Sequence, residues 1–439
     1  MQTSSNALKN KVLPFDRAIH EWYRFVLSFP PHLVREYMQR FSIAPGHVVL
    51  DPFCGTGTTL VECKKHAIAA VGLEPSPMAF LASRVKTSWN CSPDALWAVA
   101  EVIAREAERS FRQEGLYDDI DQPLFEDRAN VEDSGVRMSL SNDKMALLLK
   151  DSISPLPLHK ALVLSDLING QPDGLLRDYC RLALAKSLVA DIGNLHFGPE
   201  VGIGRPKKDA PVVRSWLGHI RLMVDDLNAA KADASTNVYQ GDARDPSRFL
   251  QPCSVDFVIT SPPYPNEKDY TRTTRLESVM LGLINSRDEL RTLKRMLMRS
   301  NTRNVYKGDE DGKWVRDHHE IQSIMQQIEQ RRVDLGKTSG FERMYARVTE
   351  LYFGGMMRHL AELRPILRPG AQLAYVVGDQ ASFLRVMIRT GSILADLAER
   401  LGFQAQRIDL FRTRLATATQ QQLREEVVVL RWPGEKCNG

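Results

Sequence analysis

Short apolar runs rich in β-branched residues recur at His47–Leu50, Ile68–Leu73, Asn237–Tyr239, Val255–Ile259 and Gln372–Val377. Each is followed by a turn or by helical spacing, and Val61–His66 and Ala79–Lys86 read as helices behind the first two. Strands that alternate with helices predict a parallel sheet covered on both faces, an α/β fold. Near the end, Phe403–Phe411 and Glu426–Trp432 flank a polar stretch with Thr417–Gln422. That pattern predicts a closing antiparallel hairpin.

Two segments break the alternation. Cys91–Ser235 is long and mostly helical in pattern, and it separates the second strand from the third. Within it, residues 196–208 carry glycines and prolines that forbid regular structure, and Arg205, Lys207 and Lys208 crowd the end of this loop. Pro265–Gly340 is helical and charged. Between Lys268 and Lys307 it holds ten basic residues against four acidic ones, which suits a polyanion or a solvated helix face. The chain therefore divides into 1–90 (an N-terminal motif and the first half of a sheet domain), 91–235 (a helical insertion), 236–264 (the sheet core with a second loop), 265–345 (a basic helical insertion) and 346–439 (the end of the sheet domain).

A length of 439 residues allows one large domain with insertions, or two or three domains. Net charge is +4 with pI ≈ 8.6, so only the local clustering of charge points to nucleic acid. No apolar run approaches the roughly 20 residues of a bilayer span, and polar Met1–Asn10 lacks an apolar signal core. The cysteines at 54, 63, 91, 180, 253 and 437 form no CxxC pair. This argues against a disulfide framework and a structural zinc site, and a reducing cytoplasm fits.

The candidate chemistry lies in two turns. Asp51-Pro52-Phe53-Cys54-Gly55-Thr56-Gly57-Thr58-Thr59 follows the first strand and enters a helix. Glycines at such a turn let the backbone approach a ligand that a Cβ would block. Leu73-Glu74-Pro75 ends the second strand, where a carboxylate can hold a ribose diol. Gly241-Asp242-Ala243 ends the third, where Asp242 can accept from an adenine amine. A dinucleotide fingerprint lacks its third glycine here. Cys54 reads as a small packing residue, because nothing nearby marks a stabilised thiolate.

Ile259-Thr260-Ser261-Pro262-Pro263-Tyr264 closes the fourth strand. On its own it is a proline-stiffened turn. Paired with the upstream glycine turn, it resembles the reaction loop of the S-adenosylmethionine-dependent DNA amino-methyltransferases, in its Ser/Tyr form most like the cytosine-N4 branch. Here the cofactor loop precedes the reaction loop, a permuted order.

The resemblance implies a class I, Rossmann-like doubly wound sheet with two mainly helical insertions. It implies S-adenosylmethionine as cofactor, double-stranded DNA as substrate and no metal. Asp51, Pro52, Phe53, Cys54, Gly55, Gly57 and Thr58 would line the methionine side of the cofactor, Glu74 and Pro75 the ribose, and Asp242 and Ala243 the adenine. His32, in Phe29-Pro30-Pro31-His32, would lie beside the cofactor. Ser261 and the Pro262 carbonyl would accept hydrogen bonds from an exocyclic amine, held by the stiff Pro262-Pro263 pair, with Tyr264 stacking on the flipped base. Asn266, Asp269, Tyr270 and Arg272 follow within reach of that base or its phosphate.

For DNA the candidates are Arg205, Lys207, Lys208, Arg272, Arg275, Arg291 and Arg295. The four-residue spacing of Arg287, Arg291, Arg295 and Arg299 places them on one helical face, suited to phosphates. The expected setting is a bacterial or archaeal cytoplasm, in restriction-modification or phage defence, with a cognate restriction or defence protein as a further partner. An RNA guanine-N2 methyltransferase is the alternative enzyme, and a partner-dependent DNA-binding subunit of a defence complex the alternative of another class. Adenine N6 is the second choice of acceptor.

Overall fold

The computed structural model describes residues 11–25, 28–118, 137–197, 201–230, 234–266, 268–415 and 422–434. Expectations for Met1–Asn10, for the 198–200 loop tip and for all but the end of the 417–422 stretch lie outside these residues. Nine strands occur among them: β1 (Val48–Asp51), β2 (Ala69–Leu73), β3 (Leu195–Phe197), β4 (Val201–Ile203), β5 (Thr236–Tyr239), β6 (Val255–Thr260), β7 (Leu367–Gly378), β8 (Gln404–Leu415) and β9 (Gln422–Arg431). Seven form one sheet in the order β5-β2-β1-β6-β7-β9-β8, and β9 alone runs against its neighbours. The fold is the doubly wound α/β sheet with an antiparallel C-terminal pair.

The central strands read as apolar runs because both of their faces are buried. Successive side chains of a strand point to opposite faces. Thus Leu50, Val258, Leu373, Tyr375 and Val377 enter one core, while Val49, Phe257, Ile259, Ala374 and Val376 enter the other. Helices Pro31–Arg40 and Thr58–Lys65 cover the second face through Leu33, Val34, Tyr37, Leu60 and Cys63. Helices His319–Asp334, Tyr345–Leu363 and Thr390–Arg400 cover the first. Strand order reverses at β1, so the loops leaving β1 and β6 flank a crevice at the carboxyl edge, where ligands of such sheets bind.

The 91–235 segment is a helical layer continuous with the sheet domain. Helices Pro93–Gln113, Pro155–Asn169, Leu175–Ser187 and Val212–Ala229 share one core with Pro77–Lys86 and with Ile19, Trp22 and Tyr23. Helix Pro93–Gln113 presents Leu96, Ala100, Ile103, Ala107 and Phe111 as one apolar stripe. Trp22 Nε1 and the Ile19 amide both donate to Asp226 Oδ2 at 2.7 Å, fastening the N-terminal segment to this layer.

Two expectations need correction. The 196–208 loop is partly regular, since β3 and β4 pair antiparallel through Leu195↔Ile203 and Phe197↔Val201. Backbone pairing on a two-stranded ribbon tolerates the glycine at position 202 because its neighbour across the ribbon is His196 backbone. Arg299 is not on the helical face of Arg287 and Arg291, because the helix Arg287–Met296 ends before it and Leu297 is extended. The Arg299 guanidinium folds back onto the carbonyls of Lys294 and Leu297 and pairs with Asp309 at 2.7 Å, and the side chain is buried. It satisfies the carbonyls that the helix end leaves open. Cys54, Cys63, Cys91 and Cys180 are buried free thiols.

The second insertion approaches helix Tyr345–Leu363 closely at several glycines, most closely at Gly354. A Cβ on Gly354, in helix Tyr345–Leu363, would collide with the Asp311 carbonyl. Gly354→Ala should therefore cost about 1–3 kcal/mol through overpacking. Denaturant unfolding measures this, and an unchanged midpoint and slope would show that the turn at Asp311–Val315 yields freely.

Candidate active site

β1 and β6 are adjacent and parallel, and a pair of side-chain hydrogen bonds joins the loops that leave them. Thr260 Oγ1 donates to Asp51 Oδ1 at 2.6 Å, and Thr59 Oγ1 donates to the Ile259 carbonyl at 3.1 Å. The Phe53 amide also reaches Asp51 Oδ1, at 3.2 Å. Asp51 is fully buried, and its Oδ2 has no partner among the described residues. Burial outweighs the hydrogen bonds and pushes its pKa up to about 6.

The turn itself is held by Cys54 N–H to the Leu73 carbonyl (3.1 Å) and Gly57 N–H to the Cys54 carbonyl (2.7 Å). Gly55 (φ +51°) and Gly57 (φ +83°) both adopt the left-handed region, and Gly57 caps helix Thr58–Lys65. A Cβ at Gly57 would also stand 3.0 Å from Ser83 Cβ, so glycine is required twice over there. Glu74 braces this turn from β2. Its Oε2 accepts the Gly55 amide at 3.0 Å and its Oε1 the Ser76 amide at 2.8 Å. Burial raises Glu74 to about 7. Burial drives the Cys54 thiol well up, in keeping with a packing residue.

The structure thus brings Asp51, Pro52, Phe53, Cys54, Gly55, Gly57, Thr58, Glu74 and Pro75 to one edge together with Ser261-Pro262-Pro263-Tyr264. Ser261 Oγ donates to the Val376 carbonyl at 3.2 Å. With its proton committed there, the oxygen keeps lone pairs for an external donor. Tyr264 packs on β7, where a Cβ on Gly378 would meet its Cε2 at 2.9 Å. Asp242 and Ala243 lie past β5. Arg244 engages both carboxylate oxygens of Asp242 (2.6–3.1 Å) and bridges to Asp311. Any adenine contact by Asp242 would share the carboxylate with that guanidinium. His32 lies beside Phe411 of β8, with ring centroids 6.3 Å apart. Asp379 is buried and paired with Arg389 and Arg424.

Of the basic candidates, Arg275 is spent internally, on the Thr271 and Leu147 carbonyls and Thr271 Oγ1. Lys207 reaches the Asp191 carbonyl, and burial lowers its pKa. Asp269, just past the reaction loop, accepts from Thr271 and Lys294. Arg205, Lys208, Arg291 and Arg295 are exposed, Arg291 beside Asp288 and Arg295 over the Tyr306 ring. Arg272 is half-buried, and its Nε lacks a partner among the described residues.

Sequence reasoning missed two braces. His359 Nδ1–H donates to the Ala243 carbonyl at 2.7 Å, and Nε2 accepts from Tyr375 Oη at 2.8 Å. Burial lowers this histidine to about 4, so it is neutral. Lys86, at the end of helix Pro77–Lys86, is 1% exposed and donates to the Thr56 carbonyl at 2.8 Å and the Tyr23 carbonyl at 3.3 Å. Tyr23 Oη in turn donates to Glu277. The sequence marks Lys86 only as a helix-terminal cation, and such residues are usually solvated.

Residues 4–82 match the family model of the N6/N4 DNA methylases. The type II methyltransferase M.BsoBI of Geobacillus stearothermophilus is 23% identical over 455 residues, covering 95% of this chain and 84% of that protein. M.AvaI of Anabaena variabilis, also a type II methyltransferase, is 21% identical over 452 residues, covering 94% and 86%. M.MjaII of Methanocaldococcus jannaschii is 36% identical over 69 residues, 16% of this chain and 13% of that protein. Among solved structures, the rRNA methyltransferase aviRa of Streptomyces viridochromogenes aligns with a TM-score of 0.31 at 10% identity, covering 98% of this chain and 93% of that one. That score is too low to bear on fold or substrate. Among the described residues no helix is long and apolar enough to cross a membrane.

Two outcomes follow from the site's electrostatics. A carboxyl whose pKa rises on folding keeps its proton where the unfolded chain has lost it. Its contribution to stability is complete below about 4.5, the ordinary Glu value, and is lost as pH rises through about 7. The stability difference between wild type and Glu74→Gln should therefore change by about 3 kcal/mol across that window and be flat on either side of it. Equal pH slopes for the two proteins in urea titrations would remove Glu74 as a titrating group. Lys86→Met should weaken cofactor binding by up to about tenfold by freeing the Thr56 carbonyl, since burial lowers the Lys86 pKa to about 7 and a hydrogen bond from a donor that is not fully charged is worth about 0.5–1.5 kcal/mol. Calorimetry decides, and unchanged affinity in the folded variant would make Lys86 a packing residue only.

Proposed function

We propose, for a chain that belongs to the amino-methyltransferase family, that it methylates an exocyclic amine of a flipped base in double-stranded DNA. The base in this reading is cytosine and the atom N4. The observation that carries the reading is the Thr260–Asp51 hydrogen bond of 2.6 Å, which sets the glycine turn beside Ser261-Pro262-Pro263-Tyr264. The left-handed Gly55 and Gly57 turn, the buried Glu74 and the unpartnered Asp51 Oδ2 fit S-adenosylmethionine, the methyl donor of this family. When bound, it supplies an electrophilic methyl group at this edge.

The chain's own residues prepare the acceptor. An exocyclic amine is a weak nucleophile because its lone pair is delocalised into the ring. Ser261 Oγ and the Pro262 carbonyl accept its two N–H bonds and draw the nitrogen towards tetrahedral geometry. The nitrogen lone pair would form the new N–C bond as the methyl carbon's bond to sulfur breaks with its electron pair left on sulfur, and the extra proton would leave the cationic amine for water. Tyr264 stacks on the base, which is out of reach inside a duplex. A neutral acceptor at position 261 is adequate for cytosine N4.

Residues 91–235 and 265–345 are assigned to DNA recognition, with Arg205 and Lys208 for groove contact. The relatives named as type II methyltransferases support a restriction-modification setting with a cognate restriction enzyme as partner.

Ser261→Ala should lower turnover up to about a hundredfold with little change in cofactor affinity. Tyr264→Ala should be as harmful and Tyr264→Phe mild. Mass spectrometry of digested product DNA should show N4-methylcytosine. N6-methyladenine alone would overturn the base, and labelled methyl transfer to tRNA but not to duplex DNA would overturn the substrate.

A further inference from the structure

β8 ends and β9 begins at the same edge of the sheet as Ser261, because β9 runs against β7 while β8 runs with it. The hairpin touches the reaction loop there. The position a Cβ would take on Gly378 lies 2.9 Å from Tyr264 Cε2 and 3.4 Å from Glu425 Cγ. Around this contact stand four arginines, Arg389, Arg412, Arg414 and Arg424, and three carboxylates, Asp379, Glu425 and Glu426, while Arg385 lies in the turn that leaves β7 between the bridged Gln380 and Ile388.

The carboxylates are already served. Arg412 holds Glu425 through two bonds of 2.5 and 2.8 Å. Arg389 lies 2.5 Å from Asp379, and Arg424 lies 3.1 Å from Glu426. Arg414 is left with long contacts, 3.7 Å to Glu425 and 3.4 Å to the Asp379 carbonyl. Arg385 is exposed and forms no ion pair among the described residues. It stands with Leu384 on left-handed backbone (φ +66° and +53°), which residues with side chains rarely adopt. The basic helix Arg287–Met296 offers less than its sequence promised: Arg299 is buried in its cap, Arg291 is paired with Asp288 and Arg295 lies on Tyr306.

We infer that this C-terminal rim, through Arg385, Arg389, Arg414 and Arg424, grips the phosphodiester backbone of DNA beside the flipped base. The inference rests on the DNA reading above and adds where the backbone is held. Guanidinium forks suit phosphate oxygens, and half-exposed arginines anchored at one end on buried acids are pre-set for such contacts. The excess of guanidinium over carboxylate is what a phosphate would neutralise.

The test is duplex binding by the full-length protein as a function of salt. Each phosphate contact contributes about 0.9 to the slope of log K against log salt. Arg385→Gln with Arg414→Gln should reduce that slope by about 2. It should also weaken specific and unrelated duplexes alike, about tenfold or more at low salt. Cofactor affinity and thermal midpoint should hold. Arg385→Glu, at an exposed position, should act in the same direction. An unchanged slope in both variants overturns the rim, as does a slope lost only with Arg291→Gln and Arg295→Gln. If the wild-type protein binds no duplex DNA, the DNA reading itself fails and the rim with it. A loss confined to RNA duplexes overturns the rim as a DNA grip.

Discussion

A single buried hydrogen bond, from Thr260 to Asp51, sets the relation on which the rest of the molecule's chemistry depends. Neighbouring strands lie about 4.8 Å apart, so loops leaving adjacent strands at a reversal of strand order are close by construction. Closeness alone does not fix their mutual orientation. Asp51 does so by accepting from the reaction strand and from the Phe53 amide of its own turn. Thr59 adds a second tie, to Ile259. A carboxylate in such a place is costly to bury, and its elevated pKa expresses that cost. The arrangement is stable only because the surrounding sheet positions both donors.

Other buried polar groups carry this order outward. Arg244 joins the loop after β5 to Asp311 in the second insertion. His359 joins Ala243 to Tyr375 on β7. Lys86 joins the glycine turn to Tyr23, and Tyr23 joins Glu277 just beyond the reaction loop. Buried pairs of this kind contribute little net stability, yet removing one partner leaves an uncompensated charge or dipole. Their value is specificity of placement. These bonds tie the two helical segments to the glycine turn at Thr56 and to the loop at Asp242.

What was legible in the sequence was what is local. β1, β2, β5 and β6 fall within a residue of their expected bounds: in β1, β2 and β6 a run buried on both faces leaves a continuous apolar signal, whereas β5 is a half-exposed edge strand marked only by its turn-flanked β-formers. The glycine turn and the Ser-Pro-Pro-Tyr loop were legible for the same reason: each is a contiguous string. β7 starts five residues early, at Leu367, since Pro369 and Gly370 interrupt the apolar run, and they are tolerated because they lie in the irregular stretch where the register with β6 shifts between Leu367 and Gln372. Arg299 misled because a four-residue period cannot show that a helix has ended at Met296. Lys86 was opaque because burial at a helix end is a tertiary fact. The arginine rim was invisible, since its members are spread from 385 to 424 and form no charge run.

The electrostatics of the crevice also bear on which cofactor the proposed site suits. Asp51 and Glu74 both pay a desolvation penalty that raises their pKa values, and Asp51 retains a buried oxygen with no partner among the described residues. A neutral or anionic ligand placed beside them would increase that penalty. A ligand that carries positive charge relieves it, because an opposite charge favours the ionised carboxyl. S-adenosylmethionine bears a sulfonium and an ammonium, whereas the demethylated product has lost the sulfonium charge. In the proposed reading, carboxyls fixed at this edge before binding would favour the charged donor over its product.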